Sequence, residues 1–230
     1  MASASTGSKG TIIIGMKLLL TSVGLKGHPE IKKAFVESLG KKPSQAKVLV
    51  VSTAIEGDVN WGYVQRTMRS LKNVGVTNIC VFSLDRKIQR AELRGIDVIY
   101  VCGGNTFWYL DRMRKTGLGK EIIRLVKKGV FYFGVSAGSI VAGSNIESAG
   151  WKRAERNTNH LKDLRGLNLA PFVMSVHLDG SNIGVVKKAA DKARYPVVGI
   201  TDRQAIFVKD DFATLIGKTS EFSFTKLAKR

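Results

Sequence analysis

Ser136 stands in Gly134-Val-Ser-Ala-Gly138, after the apolar run Val130–Val135 and before the small-residue stretch Ser139–Gly143. A serine at such a strand-to-helix turn sits exposed on a tight elbow. The flanking glycines let neighbouring backbone pass without Cβ clashes, and the helix start favours negative charge developing nearby. This is the setting of an acyl-transfer nucleophile. A second feature is Val101-Cys-Gly-Gly-Asn-Thr-Phe107, at the end of another apolar run. Ligands of parallel α/β sheets bind at the carboxyl ends of strands, and glycines there let backbone N–H groups approach a substrate carbonyl. Gly104 and Ala137 are the expected oxyanion donors. Asn105 either orients this loop at the substrate or serves as a plain helix N-cap. The third feature is His177, in Val173-Met-Ser-Val-His-Leu-Asp179. His28 precedes Pro29 at a helix start and His160 lies in a polar stretch, so His177 is the histidine placed at the same sheet edge. It is the expected general base.

Short apolar runs alternating with amphipathic segments must position these groups. The runs Lys17–Ser22, Ala46–Ser52, Asn78–Ser83, Ile96–Val101, Val130–Val135 and Phe172–Val176 read as strands. Helices are predicted near Pro29, over Asp58–Val74, Asn105–Lys115 and Lys120–Lys128, and over Ser181–Ala193. Trp151–Arg165 reads as a polar loop. Val197–Thr201, Ala205–Val208 and Thr214–Ile216 read as closing strands, some of them antiparallel. The fold class is therefore α/β, with three layers: a mainly parallel central sheet and helices on both faces. Residues 1–15 are expected to be a flexible tail or tag remnant, and residues 16–230 a single domain.

Composition narrows the classes. The 230 residues carry 37 Lys+Arg against 18 Asp+Glu, a formal charge of +19. That field would draw acidic ligands, anionic lipid or nucleic acid, but the cations are dispersed and no recognised nucleic-acid module accompanies them. The densest basic patches are Trp151-Lys-Arg-Ala-Glu-Arg156 and Lys226–Arg230. No apolar run is long enough for a transmembrane helix, and the opening residues lack the order of a secretory signal. Cys80 and Cys102 lie in apolar runs and read as buried hydrophobes in a reducing compartment, so a cytoplasmic location is expected. Gly217-Lys-Thr-Ser220 lacks the earlier glycine of a phosphate-binding loop. No His, Cys or carboxylate spacing suggests a metal site, and no dinucleotide fingerprint is present. Neither metal nor cofactor is expected.

The three site features, in this order, resemble the peptidase E family of aspartyl dipeptidases and cyanophycinase-like enzymes. The likeness extends over nearly the whole chain: Met16–Gly24, Val101–Leu110, Gly134–Ile146, Leu167–His177 and Thr201–Val208. It implies a fold like that of the class I glutamine amidotransferases, Ser136 as nucleophile and His177 as base. The third triad member departs from the pattern. Relatives carry an Asp where this chain reads Trp151-Lys-Arg153. Asp179, two residues past His177, is similar to the His-x-Glu arrangement of the amidotransferases, and i and i+2 share a strand face. Asp179 is the preferred candidate, with Glu147 and Glu155 as the others. Lys152, Arg153 and Arg156 could pair with an acidic substrate, since guanidinium binds carboxylates bidentately; Arg153 is the substrate-binding candidate. The expectation is a serine-type dipeptidase of small, acidic peptides, favouring N-terminal Asp, acting as a monomer or homodimer without membrane attachment. Two alternatives stay open: a degenerate relative that binds ligands or polyanions such as nucleic acid, and a hydrolase of small esters or amides.

Overall fold

The computed structural model describes residues 15–53, 61–152, 155–210, 212–218 and 224–226. Five short strands form the centre of the fold: β1 (Lys17–Thr21), β2 (Lys47–Ser52), β3 (Asn78–Ser83), β4 (Val98–Val101) and β5 (Phe131–Val135). Strands β2, β4 and β5 are buried almost end to end. That is why they read as continuous apolar runs: a parallel strand covered on both faces has no solvent side to alternate with. Further along lie β6 (Val173–Ser175), β7 (Val197–Gly199), β8 (Ala205–Lys209), β9 (Phe212–Ile216) and β10 (Phe224–Lys226).

Among the described residues the main sheet has seven strands, in the order β3-β2-β4-β5-β1-β8-β9. The first five run parallel; β8 pairs antiparallel with β1, and β9 antiparallel with β8. A second sheet, β10-β7-β6, pairs β6 with β7 in parallel and β7 with β10 in antiparallel. The helices are α1 (Pro29–Ser38), α2 (Trp61–Lys72), α3 (Thr106–Thr116), α4 (Leu118–Val126), α5 (Ala137–Ala142), α6 (Ser148–Trp151) and α7 (Ile183–Ala190). The expected α/β class and mainly parallel sheet are what the chain adopts. In α4 the buried Leu118, Ile122, Leu125 and Val126 recur at helical spacing, giving one apolar stripe against the core. Phe133 ties α1 to the sheet. Its ring stacks on Tyr100 at 4.7 Å and meets Phe35 edge-on at 5.2 Å.

Several boundaries differ from the sequence reading. The one-turn helix α6 and the strand β10 were not expected, and the helix expected over Ser181–Ala193 is confined to Ile183–Ala190. The start of the helix expected at Asp58 lies outside the described residues, as do Arg153, the basic run after Lys226 and the N-terminal tail except Gly15. Among the described residues no helix is long and apolar enough to cross a membrane.

Candidate active site

The parallel arrangement delivers several chain segments to one place. The residues that follow β1, β4 and β5, together with the end of β2, line a single cavity of about 930 Å³: Ser22, Gly103 and Gly104, Ser136, and Ser52 with Thr53. They gather there because the carboxyl ends of parallel strands share one edge.

Ser136 links β5 to α5 with φ 50° and ψ −112°, a conformation a side-chain-bearing residue seldom adopts. Neighbouring bonds hold it. Its N–H donates to Thr21 O at 2.9 Å, and the buried Ser139 hydroxyl both donates to Thr21 O and accepts from Thr21 N–H. A Cβ on Gly138 would lie 2.2 Å from the carbonyl oxygen of Val101, so only glycine lets α5 sit this close to β4.

His177 follows β6 and also has a positive φ, 55°. Its N–H donates to Ser22 Oγ at 3.0 Å, and its carbonyl accepts from Asn182 Nδ2 at 2.9 Å. The ring then bridges two groups. Nε2 lies 2.9 Å from Ser136 Oγ, and Nδ1 lies 2.5 Å from Asp202 Oδ1. A carboxylate accepts only, so the short contact places the ring proton on Nδ1 and leaves Nε2 to accept from the serine hydroxyl.

Asp202 is the residue sequence reasoning missed, and it corrects the assignment of Asp179. The i, i+2 argument needs the strand to continue past His177, but β6 ends at Ser175 and the backbone turns. The Asp179 carboxylate is engaged elsewhere. It accepts from Ser181 N–H at 2.8 Å, Ser181 Oγ at 2.6 Å and Asn182 N–H at 3.1 Å, in the turn that leads into α7. Those bonds hold its carboxyl below the ordinary range. Glu155 does not serve either: it accepts from the N–H and hydroxyl of Thr106 at the start of α3. Burial raises its pKa. Glu147 is likewise raised by burial, and its N–H donates to Asn145 Oδ1.

The signal for Asp202 is positional and becomes usable only once β6 and β7 are paired. In the parallel pair β6–β7, Ser175 lies opposite Gly199, which puts His177 level with Thr201 and Asp202 one residue beyond. An acidic residue just after the apolar run Val197–Ile200 is where a neighbouring strand would present a partner to His177.

The other predicted residues divide. Ala137 heads α5, so its N–H has no carbonyl partner within its own helix. The Gly103–Gly104 loop runs beside the serine, since a Cβ on Gly103 would lie 3.3 Å from Ser136 Cβ. Asn105 is the N-cap of α3: Oδ1 accepts from Trp108 N–H at 2.9 Å and Nδ2 donates to Arg156 O at 3.0 Å. Its side chain is thus committed to the loop, although it lines the cavity. Tyr63, from α2, hydrogen-bonds the backbone of Gly103, and burial raises its pKa. Buried Cys102, pushed up to about 12 by desolvation, is no nucleophile. Among the described residues, no group of three or more His, Cys, Asp or Glu could hold a metal ion.

The family model for peptidase family S51 matches residues 18–216. The chain belongs to peptidase family S51. The match takes in all three members of the hydrogen-bonded row. An uncharacterized peptidase of Listeria innocua is 30% identical over 156 residues, 65% of this chain and 74% of its own. Peptidase E of Streptomyces coelicolor is 24% identical over 216 residues, covering 87% and 84% of the two chains. Peptidase E of Escherichia coli is 26% identical over 175 residues, covering 70% and 72%. In fold, the S51 chain is similar to a solved structure assigned as a peptidase E protein from Listeria monocytogenes. The TM-score is 0.73 at 23% identity, over 89% of this chain and 100% of that one.

Proposed function

We propose that this S51 peptidase is a serine peptidase of short peptides that works through an acyl-enzyme on Ser136. The observation that carries the reading is the unbroken row Ser136 Oγ, His177 Nε2, His177 Nδ1, Asp202 Oδ1, with contacts of 2.9 and 2.5 Å. Asp202 fixes the tautomer and stabilises the imidazolium that forms. His177 takes the serine proton as Oγ attacks the scissile carbonyl, then gives it to the leaving amine. A water, deprotonated by the same ring, releases the acyl group. The oxyanion is held by the N–H groups of Ala137 and Gly104. A carboxylate in reach of Nδ1 supports an active enzyme over a catalytically idle binding protein.

The substrate reading rests on charge. Lys26 and Arg66 both line the cavity, where they would attract a substrate carboxylate, so a peptide with N-terminal Asp suits the site. They join Arg153, which lies outside the described residues, as candidates for that part. The test is hydrolysis of Asp-X dipeptides by the protein and by Ser136→Ala. Turnover by the unaltered protein, and a loss of roughly 10³-fold or more in the variant, is the expected result. Equal turnover by both would overturn the reading.

A further inference from the structure

Strand β9, Phe212–Ile216, closes the main sheet on one side, and among the described residues its outer edge has no partner strand. An exposed edge is a template for a further strand, and proteins blunt it with charge, proline or a bulge. Here Phe-Ala-Thr-Leu-Ile pairs with β8 without a bulge and carries neither proline nor charge, in a chain with 37 Lys and Arg. Phe212 is 78% exposed, and Ala213 and Thr214 are exposed beside it.

The register shows which backbone groups face outward. Asp210 N–H donates to Met16 O, next to the pair Lys17–Lys209, so the even-numbered residues of β8 bond to β1 and the odd-numbered ones to β9. Phe207 lies opposite Thr214, and Ala205 opposite Ile216. Thr214 and Ile216 therefore bond inward, and the N–H and carbonyl groups of Ala213 and Leu215 point away from the sheet. Phe212, Thr214 and Ile216 share one face of the strand.

This strand is complementary to itself. Turned antiparallel about Thr214, two copies set Ala213 of each opposite Leu215 of the other, where they exchange both N–H···O bonds. Thr214 then meets its own copy, and Phe212 meets Ile216. Thr–Thr and aromatic–β-branched pairs are favoured neighbours across strands. The ends match in charge as well: Asp210 precedes the strand and Lys218 follows it, so antiparallel pairing brings acid toward base.

We propose that β9 is the interface of a homodimer, in which two copies join their main sheets antiparallel across the β9 edge, centred on Thr214. Two chains of +19 repel each other, so the dimer tightens as salt screens them. The association does not depend on the peptidase reading, and its test needs no turnover.

Sedimentation velocity of the full chain is measured over about a hundredfold range of concentration at about 0.15 M salt. A species of twice the monomer mass should grow with concentration. Ala213→Pro removes an outward N–H from each copy and leaves the bonds to β8 in place, so it should weaken the dimer about tenfold or more. Thr214→Cys tests the register. Mild oxidation should join the two copies through residue 214, since Cα atoms of such a pair lie about 4.5 Å apart, within disulfide reach. Peptide mapping distinguishes this bond from any made by Cys80 or Cys102. A monomer at every concentration would overturn the proposal. So would a dimer unmoved in a folded Ala213→Pro, or one that yields no bond between the two residues 214. Should Ala213→Pro fail to fold, the cross-link alone decides.

Discussion

Ser136 and His177 both hold backbone conformations that cost about 1–3 kcal/mol each in an ordinary setting, and each is pinned by buried neighbours. Strained backbone clusters at functional sites, and here it lies at both ends of one 2.9 Å contact. The carboxylate behind the ring separates two assignments. Asp202→Asn should lower kcat by roughly 10²–10⁴-fold with little change in KM, because the ring loses its tautomer and its counter-charge. Asp179→Asn should leave kcat within a few-fold and the fold intact, because asparagine keeps the side-chain oxygen that accepts in the turn leading into α7. Steady-state kinetics and urea unfolding of the two variants distinguish them; the opposite pattern would restore Asp179 to the site. Ser136 and His177 were legible because each closes an apolar strand. Asp202 was not, because its closeness to His177 is set by the β6–β7 register, a contact between segments that no local spacing encodes.

At the scale of elements, the site depends on how near α5 comes to the sheet. Gly138→Ala would press a methyl group into the Val101 carbonyl, where the gap is 2.2 Å to the new carbon. Backbone must move, and a loss of about 2–3 kcal/mol is expected in denaturant unfolding, together with a loss of turnover as the Gly103–Gly104 loop shifts. Unchanged stability would mean that the elbow is looser than described. The buried parallel strands were readable as apolar runs, and α3 and α4 as periodic stretches parted by Thr116-Gly117. The four residues of α6 are too few to show a period. Strand β10, Phe224–Lys226, gives no apolar run; it exists through its antiparallel pairing with β7.

Over the whole molecule the dominant property is charge, +19 across 230 residues. Such a field, with Lys26 and Arg66 at the cavity, should gather acidic substrates from a distance. KM for an Asp-X dipeptide should therefore rise about threefold or more between about 0.01 M and about 1 M salt, over which the screening length falls from about 30 Å to about 3 Å. KM for an uncharged analogue should stay nearly constant, and equal salt dependence for both would remove charge from the account of specificity. The α/β class was evident from the alternation of elements, while the cavity was not, since it is assembled from four strand ends far apart in sequence. The most direct test of the site is the mass of the protein after reaction with a fluorophosphonate serine probe. One adduct is expected, located by peptide mapping on the segment containing Ser136, formed far more slowly in Asp202→Asn and at an undiminished rate in Asp179→Asn. An adduct on another serine, or equal rates in the protein and in Asp202→Asn, would contradict that expectation.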